Sequence, residues 1–459
     1  MKIGIVGGGA AGLAAAVTAC QLGAEVFLLE QTDRVGKKIL STGNGKCNFT
    51  NRRMGAEFYH SETADLLSFF VSQDSVAQVL DFFSGLGMLY REKNGGYYPY
   101  SEQAQTVLDV LRFALEGYGE QVKVCTGCRV EKVEPLKDGR VSLEIKNSCP
   151  ETKASHPENR KSHPETHAFP SRLTVDRVIL ACGGKAAPKT GSDGSGYDLL
   201  RRLGLSCTPV APALVQLRCQ ERDFAAVAGV RTQAIVRLFV DGSPVDEQAG
   251  EVQLTDYGIS GIPVFQLSRH ASLAVSRGQK VTAGLDVLPE VSEKQWTDIL
   301  LTRKKQWGER TMEQFCSGLL HKKLCALFLK KCNIRPNQRA DSVSDAQIRQ
   351  LAHLCKDWQV TVERPNGFDM AQVCAGGLSL KEIRRDFSLK KYPQIYAAGE
   401  LLDVDGLCGG YNLHWAWISG ITAAKSAAAG KERSNGLKEC SNGFQKCADA
   451  DEKRRSDKT

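Results

Sequence analysis

The stretch "KIGIVGGGAAGLAAAVTACQLGAEVFLLE" near the amino end constrains this chain more than any other. Lys2–Val6 reads as a short apolar strand, Ala11–Leu22 as an alanine-rich helix, and Glu25–Glu30 as a second strand ending in an acid. Gly7, Gly9 and Gly12 between strand and helix form G-x-G-x-x-G. Gly7 permits the tight turn, Gly9 lets a pyrophosphate approach bare backbone, and Gly12 lets the helix pack on the sheet. Ala10 and Ala11 open the helix, where free amides and the dipole favour phosphate. Glu30 follows 18 residues after Gly12, placed to accept hydrogen bonds from ribose hydroxyls. A lone glycine motif is weak; one with a strand before it, a helix after it and an acid beyond is a dinucleotide site. The motif does not separate NAD from FAD.

Later segments point to FAD. "GKKILSTGNGKCNFTN" (Gly36–Asn51) has little apolar periodicity and reads as a loop over the ligand. Lys37 or Lys38 can neutralise phosphate there, and Thr42, Gly43, Asn44, Gly45, Lys46, Cys47 and Asn48 lie along the same loop. Cys47 has no second cysteine at the C-x4-C spacing of dithiol flavoenzymes. A disulfide reductase is therefore set aside, and Cys47 reads as packing or a flavin-edge contact. "DRVILACGG" (Asp176–Gly184) and "KYPQIYAAGE" (Lys391–Glu400) are apolar strands ending in small residues. They resemble strand ends of glutathione-reductase-like FAD proteins, and bring Ala181, Cys182, Gly183, Gly399 and Glu400 into the cofactor set. In such proteins the acid after the glycine holds a ribityl hydroxyl; here that acid is Glu400. Val130, in the strand-like "VKVCTGCRVEKVE", completes the cofactor-binding residues on that side.

The stretch "GELLDVDGLCGGYNLHWAWISG" (Gly399–Gly420) crowds Glu400, Asp403 and Asp405 before 19 uncharged residues, Gly406–Ala424. Gly409 and Gly410 let backbone approach an isoalloxazine ring. A helix from about Asn412 to Ala429, preceded by Tyr411, points its amino end at the same place. A reduced flavin gathers negative charge on its pyrimidine side, which a helix amino end stabilises. Trp415 and Trp417 read as packing residues of that helix.

Composition adds limits. The chain has 459 residues and a net charge of +8, mildly basic and compatible with an anionic cofactor. Its 16 cysteines are irregularly spaced, and Cys125-x-x-Cys128 has no second ligand pair, so no metal site is expected. The uncharged runs Ile3–Ala24 and Gly406–Ala424 are broken by glycines, so neither reads as a membrane span. The expected location is cytoplasmic.

Together, "GGGAAGLAAA", "KILSTGNGKCNFTN", "ACGGKAAPKTGS", "PALVQL", "YGISGIPVFQLSR" and the 399–420 stretch resemble the YhiN/BaiN-like family of bacterial flavoproteins. Its members are also labelled the aminoacetone oxidase family, or NAD(P)/FAD-dependent oxidoreductases. The resemblance implies an α/β fold: a two-segment Rossmann-like FAD-binding domain, glutathione-reductase-like, with an inserted β-barrel-like domain carrying a small helical insert. The expected parts are 1–190 and 371–430 for FAD, 191–268 and 341–370 for the barrel, and 269–340 for the helical insert. "SDAQIRQLAHLCKDW" fits a helix with Ile348, Leu351 and Cys355 on one face and Ser344 as its cap. A loop insertion at 147–170 repeats Ser-His-Pro-Glu, and the tail 431–459 is polar and expected to be disordered. Departures from the family pattern are "TGSDGSGY" (Thr190–Tyr197), His414 where Gln is common, and "AQVCAGGLSL".

The resemblance implies FAD as cofactor, NADH or NADPH as electron donor, and a small hydrophobic substrate whose enone-type double bond is reduced. A steroid or bile-acid enone is one such substrate. His414 and Tyr411 are the expected proton donors by position, although a packed or helix-capping His414 fits the sequence better. Alternatives are a small-amine oxidase, such as one acting on aminoacetone, and a tRNA-associated flavoprotein. The dispersed lysines and arginines disfavour the latter, and no specific nucleic-acid partner is expected. Oligomeric state is not legible.

Overall fold

The computed structural model describes residues 1–147 and 169–429. The Ser-His-Pro-Glu repeat and the 431–459 tail lie outside the described residues.

Five short apolar strands form an all-parallel sheet in the order Ile395–Ala397, Arg177–Leu180, Lys2–Val6, Glu25–Leu29, Val122–Cys125. The inner strands are covered on both faces and read as nearly continuous hydrophobic runs, while the edge strand Val122–Cys125 exposes Lys123 and Val124. Ile3, Ile5, Val26, Leu28 and Ile179 are fully buried. The first strand is central, and the strand order reverses beside it. Such a reversal leaves a crevice at the strands' carboxyl ends.

The opening helix, Ala10–Gln21, leaves Gly9 directly over that crevice and buries Ala11 through Cys20. Its small side chains let the closing helix, Tyr411–Ala428, cross it closely. A Cβ on Gly420 would stand 2.3 Å from the Ala11 carbonyl oxygen. The beginning and end of the described chain thus share one core, with 395–397 completing the sheet begun by 2–6.

The run "VKVCTGCRVEKVE" is two strands, not one. Gly127, at φ +66°, breaks it. Val122–Cys125 joins the parallel sheet, and Cys128–Pro135 joins an antiparallel sheet with Val141–Asn147 and Arg172–Val175.

A second core lies inside a closed barrel of six strands: Leu217–Cys219, Gly258–Ser260, Ser243–Leu254, Arg231–Val240, Val281–Asp286 and Trp358–Pro365. The barrel helix, Ile262–Ser276, buries Val264, Leu267 and Ala271 in this core. Helices Glu293–Gln306, Lys322–Lys331 and Asp345–Lys356 sit between the last two barrel strands in sequence. Ser344 caps the last of these in a capping box with Gln347, and Ile348, Leu351 and Cys355 are buried.

Three expected boundaries move. The segment 269–340 contains a barrel strand, Val281–Asp286, so the helices run from 293 to 356 instead. The β-branched pair "VT" starts that strand just after the Gly278 turn, and its short apolar run does not distinguish strand from helix by period alone. The second barrel segment accordingly starts at Trp358, not 341. Residues 191–205 do not open the barrel: Leu199, Leu200, Leu203 and Leu205 turn an apolar face onto the first core. Among the described residues, no helix is long and apolar enough to cross a membrane.

Candidate active site

At the first crevice, Gly7 has φ +105°, and a Cβ there would meet the Ala181 carbonyl oxygen at 2.4 Å. Gly12 is tighter still, its Cβ position lying 1.9 Å from the Gly7 carbonyl oxygen. At Gly9, by contrast, nothing lies within 4 Å of a Cβ. The opening helix begins there with no side-chain cap and no acid in its first turn. The amides at Ala10, Ala11 and Gly12 are therefore the unsatisfied donors of a helix start beside open space, as a pyrophosphate requires.

Glu30 sits at the crevice rim, 8% exposed. One carboxylate oxygen accepts the Gly8 amide at 2.8 Å and the other accepts the Thr32 amide at 2.7 Å. The expected ribose acid thus also braces the glycine turn. Two bonds leave acceptor capacity on a carboxylate. Ala181 lies opposite, its amide donating to Val6 O at 2.8 Å. Burial pushes the neighbouring Cys182 thiol up to about 12. Val130 is buried on the adjoining antiparallel strand, and Gly183 takes φ +72°.

The 36–51 loop is an irregular turn that breaks at Thr42, Gly43 and Asn44, the last two in left-handed backbone. Thr42 Oγ1 donates to Ile39 O at 2.6 Å, and Gly45 is also left-handed. Lysine partners differ from expectation. Lys37 pairs with Asp33, and Lys46 with Glu102 at 3.1 Å. Lys38 reaches across to Glu400 at 2.7 Å. Cys47 is fully buried, and burial pushes its thiol up to about 12, which makes it packing rather than a redox group. Asn48 Oδ1 is buried without a partner and stands 2.7 Å from the Cβ position of Gly410.

Glu400 Oε1 accepts the Cys374 amide at 2.9 Å, while Oε2 takes Lys38. Gly399 is left-handed at φ +73°; its amide donates to Ser419 Oγ and its carbonyl accepts Trp415 Nε1. Trp417 Nε1 donates to Phe49 O at 3.0 Å, so both tryptophans are packing residues. The closing helix starts at Tyr411 behind Gly410, itself left-handed, with no side-chain cap and no acid in the first turn. Like the opening helix, it therefore leaves its first amides without a side-chain partner.

The structure favours the packing reading of His414 over the proton-donor one, and narrows what Asn412 can offer a ligand. His414 is fully buried, with Nδ1 2.8 Å from Thr50 Oγ1 and Nε2 2.8 Å from Ser75 Oγ. Burial pushes its pKa down to about 3. A neutral ring clamped at both nitrogens and cut off from solvent is a strut between segments, not a proton donor. The side chain of Asn412 is also occupied: Oδ1 accepts the Gly406 amide at 2.8 Å and Nδ2 donates to Gly406 O at 2.7 Å. It closes the 406–411 loop and leaves only its backbone amide for a ligand. Tyr411 stacks on Phe58 at 4.8 Å, and burial raises its pKa.

Sequence reasoning missed what holds the flavin loop from the barrel side. Arg269 Nε donates to Asp405 Oδ1 at 2.9 Å, with side-chain exposures of 13% and 3%. Gln266, one turn earlier on the barrel helix, accepts the Cys408 amide at 3.0 Å. Asn51 Nδ2 donates to Gly409 O at 2.9 Å. Burial outweighs the guanidinium and pushes Asp405 up to about 7. The acid just before a long uncharged run is the one local hint of a buried partner, and nothing local identifies Arg269, 136 residues away.

These donors and acceptors fit a flavin dinucleotide: the uncapped starts of the opening and closing helices, open space at Gly9, the carboxylates of Glu30 and Glu400, and an unpartnered Asn48 oxygen. The comparisons with known proteins decide the family. The family model described as HI0933-like protein Rossmann domain matches residues 1–426.

The chain belongs to the HI0933-like family.

This HI0933-like chain is 41% identical over 430 residues to a 3-dehydro-bile acid delta(4,6)-reductase of Clostridium scindens, spanning 93% of this chain and 99% of that protein. It is 24% identical to ribosomal RNA dihydrouridine synthases of Haemophilus influenzae and Escherichia coli, over 426 and 441 residues. Those matches cover 92% and 93% of this chain, and 97% and 98% of the two relatives. The chain is an FAD-dependent oxidoreductase with a Rossmann-type FAD-binding domain.

Proposed function

We propose that this protein reduces a carbon–carbon double bond conjugated to a carbonyl in a small hydrophobic substrate, with NADH or NADPH as electron donor. The observation that carries the reading is the 41% identity, along 99% of its length, to a delta(4,6)-reductase of a 3-dehydro-bile acid. The more distant relatives support the same chemistry. Dihydrouridine is uridine with the ring double bond next to a carbonyl saturated, so both relatives' names describe hydrogen added across such a bond. Nothing comparable favours the small-amine oxidase.

FAD, when bound, would supply two-electron hydride-transfer chemistry between the nucleotide and the β-carbon of the acceptor. The α-carbon then needs one proton. The chain's part is positional and electrostatic. The opening helix would hold phosphate, Glu400 would hold the ribityl chain, and the amino end of the closing helix would stabilise the negative charge of the reduced ring. Tyr411 is our proton donor, since burial keeps its hydroxyl protonated at the start of that helix. Tyr411→Phe should lower kcat about a hundredfold while FAD content stays unchanged. Unchanged kcat in that variant removes Tyr411 from the chemistry.

We read the two cores as an FAD unit in two segments and an inserted barrel that covers the substrate. Every cysteine among the described residues is a free thiol, which supports a cytoplasmic location. An RNA substrate is the second reading, resting on the 24% relatives. Steeply salt-dependent binding of ribosomal RNA fragments, with no turnover of steroid enones, would favour it.

A further inference from the structure

A cavity of about 510 Å³ opens between the helix Ser195–Arg202 and the loop that carries Phe368. That is within the usual range for a small-ligand site. None of its lining belongs to the cofactor set described above. Three cations reach it: Arg129, Lys185 and Arg201. Arg129 is fixed by Asp193 at 3.1 Å, and Arg201 by Asp198. Lys185 makes no ion pair among the described residues; its ammonium lies 4.8 Å over the Phe368 ring. Asp193 and Asp198 line the cavity as well, so its net charge is the single positive charge of Lys185, beside two guanidiniums held in place by carboxylates.

Two further features point to a ligand. The helix Ser195–Arg202 starts at the rim behind Gly194; Asp193 Oδ1 accepts its first amide, from Ser195, at 2.9 Å, and the next amides have no side-chain cap. Tyr197, on its first turn, is 7% exposed and lines the cavity, and its hydroxyl is buried with no hydrogen-bond partner. A buried hydroxyl left unpaired marks a place that another molecule completes. The inner wall also adjoins the flavin site. The Tyr197 hydroxyl and Glu400 Oε1 each stand 3.1 Å from the point a Cβ on Gly184 would occupy. One glycine separates the cavity from the acid assigned to the ribityl chain.

We infer that this cavity anchors the nucleoside-phosphate end of the reduced nicotinamide dinucleotide. The inference rests on the NAD(P)H-linked reading above. It accounts for an electron donor in a chain whose sequence has no second strand-turn-helix G-x-G-x-x-G. Phosphate lies among Lys185, Arg129 and Arg201, and Phe368 forms an apolar wall for the base.

The test uses FAD-loaded full-length protein, its Lys185→Ala and Arg201→Ala variants, and stopped-flow anaerobic reduction by NADH and by NADPH. Both side chains are exposed and outside the cofactor cradle, so folding and FAD content should be unchanged. The expected result is a rise of about tenfold in the half-saturating nucleotide concentration, with the limiting reduction rate unchanged. ADP should compete with the nucleotide in the wild type and lose that effect in both variants. Identical half-saturation in wild type and variants overturns the cavity assignment and leaves the reductase reading standing. Competition by inorganic phosphate but not by ADP also overturns it, in favour of a simple anion site. A wild-type flavin that neither nucleotide reduces overturns both the inference and the electron-donor assignment.

Discussion

At the scale of single residues, two glycines in one motif carry opposite burdens. Gly12 faces backbone: a Cβ would stand 1.9 Å from the Gly7 carbonyl oxygen. Gly12→Ala should therefore destabilise the fold by about 1–3 kcal/mol, read by urea denaturation of the FAD-free protein. Gly9 faces open space, so Gly9→Ala should leave that denaturation curve unchanged and weaken FAD binding instead. Equal effects of the two on folding would contradict the assignment of Gly9 to a ligand. His414 gives a test with a definite sign. Burial holds its folded pKa near 3, against an ordinary value of 6.5. The unfolded state takes up the proton first, so its neutral burial costs nothing above pH 6.5. Stability is then lost as pH falls from 6.5 towards 3, at up to about 1.4 kcal/mol per pH unit. His414→Gln keeps a donor and an acceptor for Thr50 and Ser75 but does not titrate. Its melting temperature should fall less between pH 6 and pH 4 than the wild type's, with kcat at neutral pH nearly unchanged. A large loss of kcat in a normally folded H414Q protein would restore the catalytic role withdrawn here.

At the scale of elements, the flavin loop 405–410 is held from both sides, by Asn51 and Asn412 within the first core and by Gln266 and Arg269 on the barrel helix. Removing one member of a buried ion pair strands the other. Arg269→Leu should cost about 3 kcal/mol and weaken FAD retention, and Arg269→Leu with Asp405→Leu should recover much of the stability. Calorimetry of the single and double variants decides it; no recovery would mean that the pair does more than neutralise itself. These contacts also show why sequence reading succeeded where it did. The opening strand, helix and acid are legible because each rule acts within about one turn or one strand. The Ser344 cap is legible for the same reason. Arg269 and the two hydroxyls on His414 are not, because their partners meet only after the barrel and first core have folded. Packing is the better sequence reading of His414, but its partners, Thr50 and Ser75, lie more than 300 residues earlier and cannot be read locally. The strand Val281–Asp286 escaped because its neighbours are helical and its apolar run is short.

At the scale of the whole molecule, the first core closes on itself through the two ends of the described chain, and the barrel enters as one excursion between them. That arrangement sets the barrel helix against the 405–410 loop, through Gln266 on Cys408 and Arg269 on Asp405, where we propose that the substrate meets the flavin. It gives the reductase reading its shape: a nucleotide anchored behind Gly184, a flavin along Glu400, and an apolar acceptor under the barrel helix. The most direct measurement is the return of flavin colour under anaerobic conditions. Protein loaded with FAD is bleached with NADH or NADPH, freed of excess nucleotide, and mixed with a steroid 4-en-3-one or its 4,6-diene. Prompt return of the oxidised flavin spectrum, with one saturated bond formed per flavin, is the predicted result. A flavin that stays bleached with every enone, yet is reduced by aminoacetone and reoxidised by oxygen, would contradict the account and make this protein an amine oxidase.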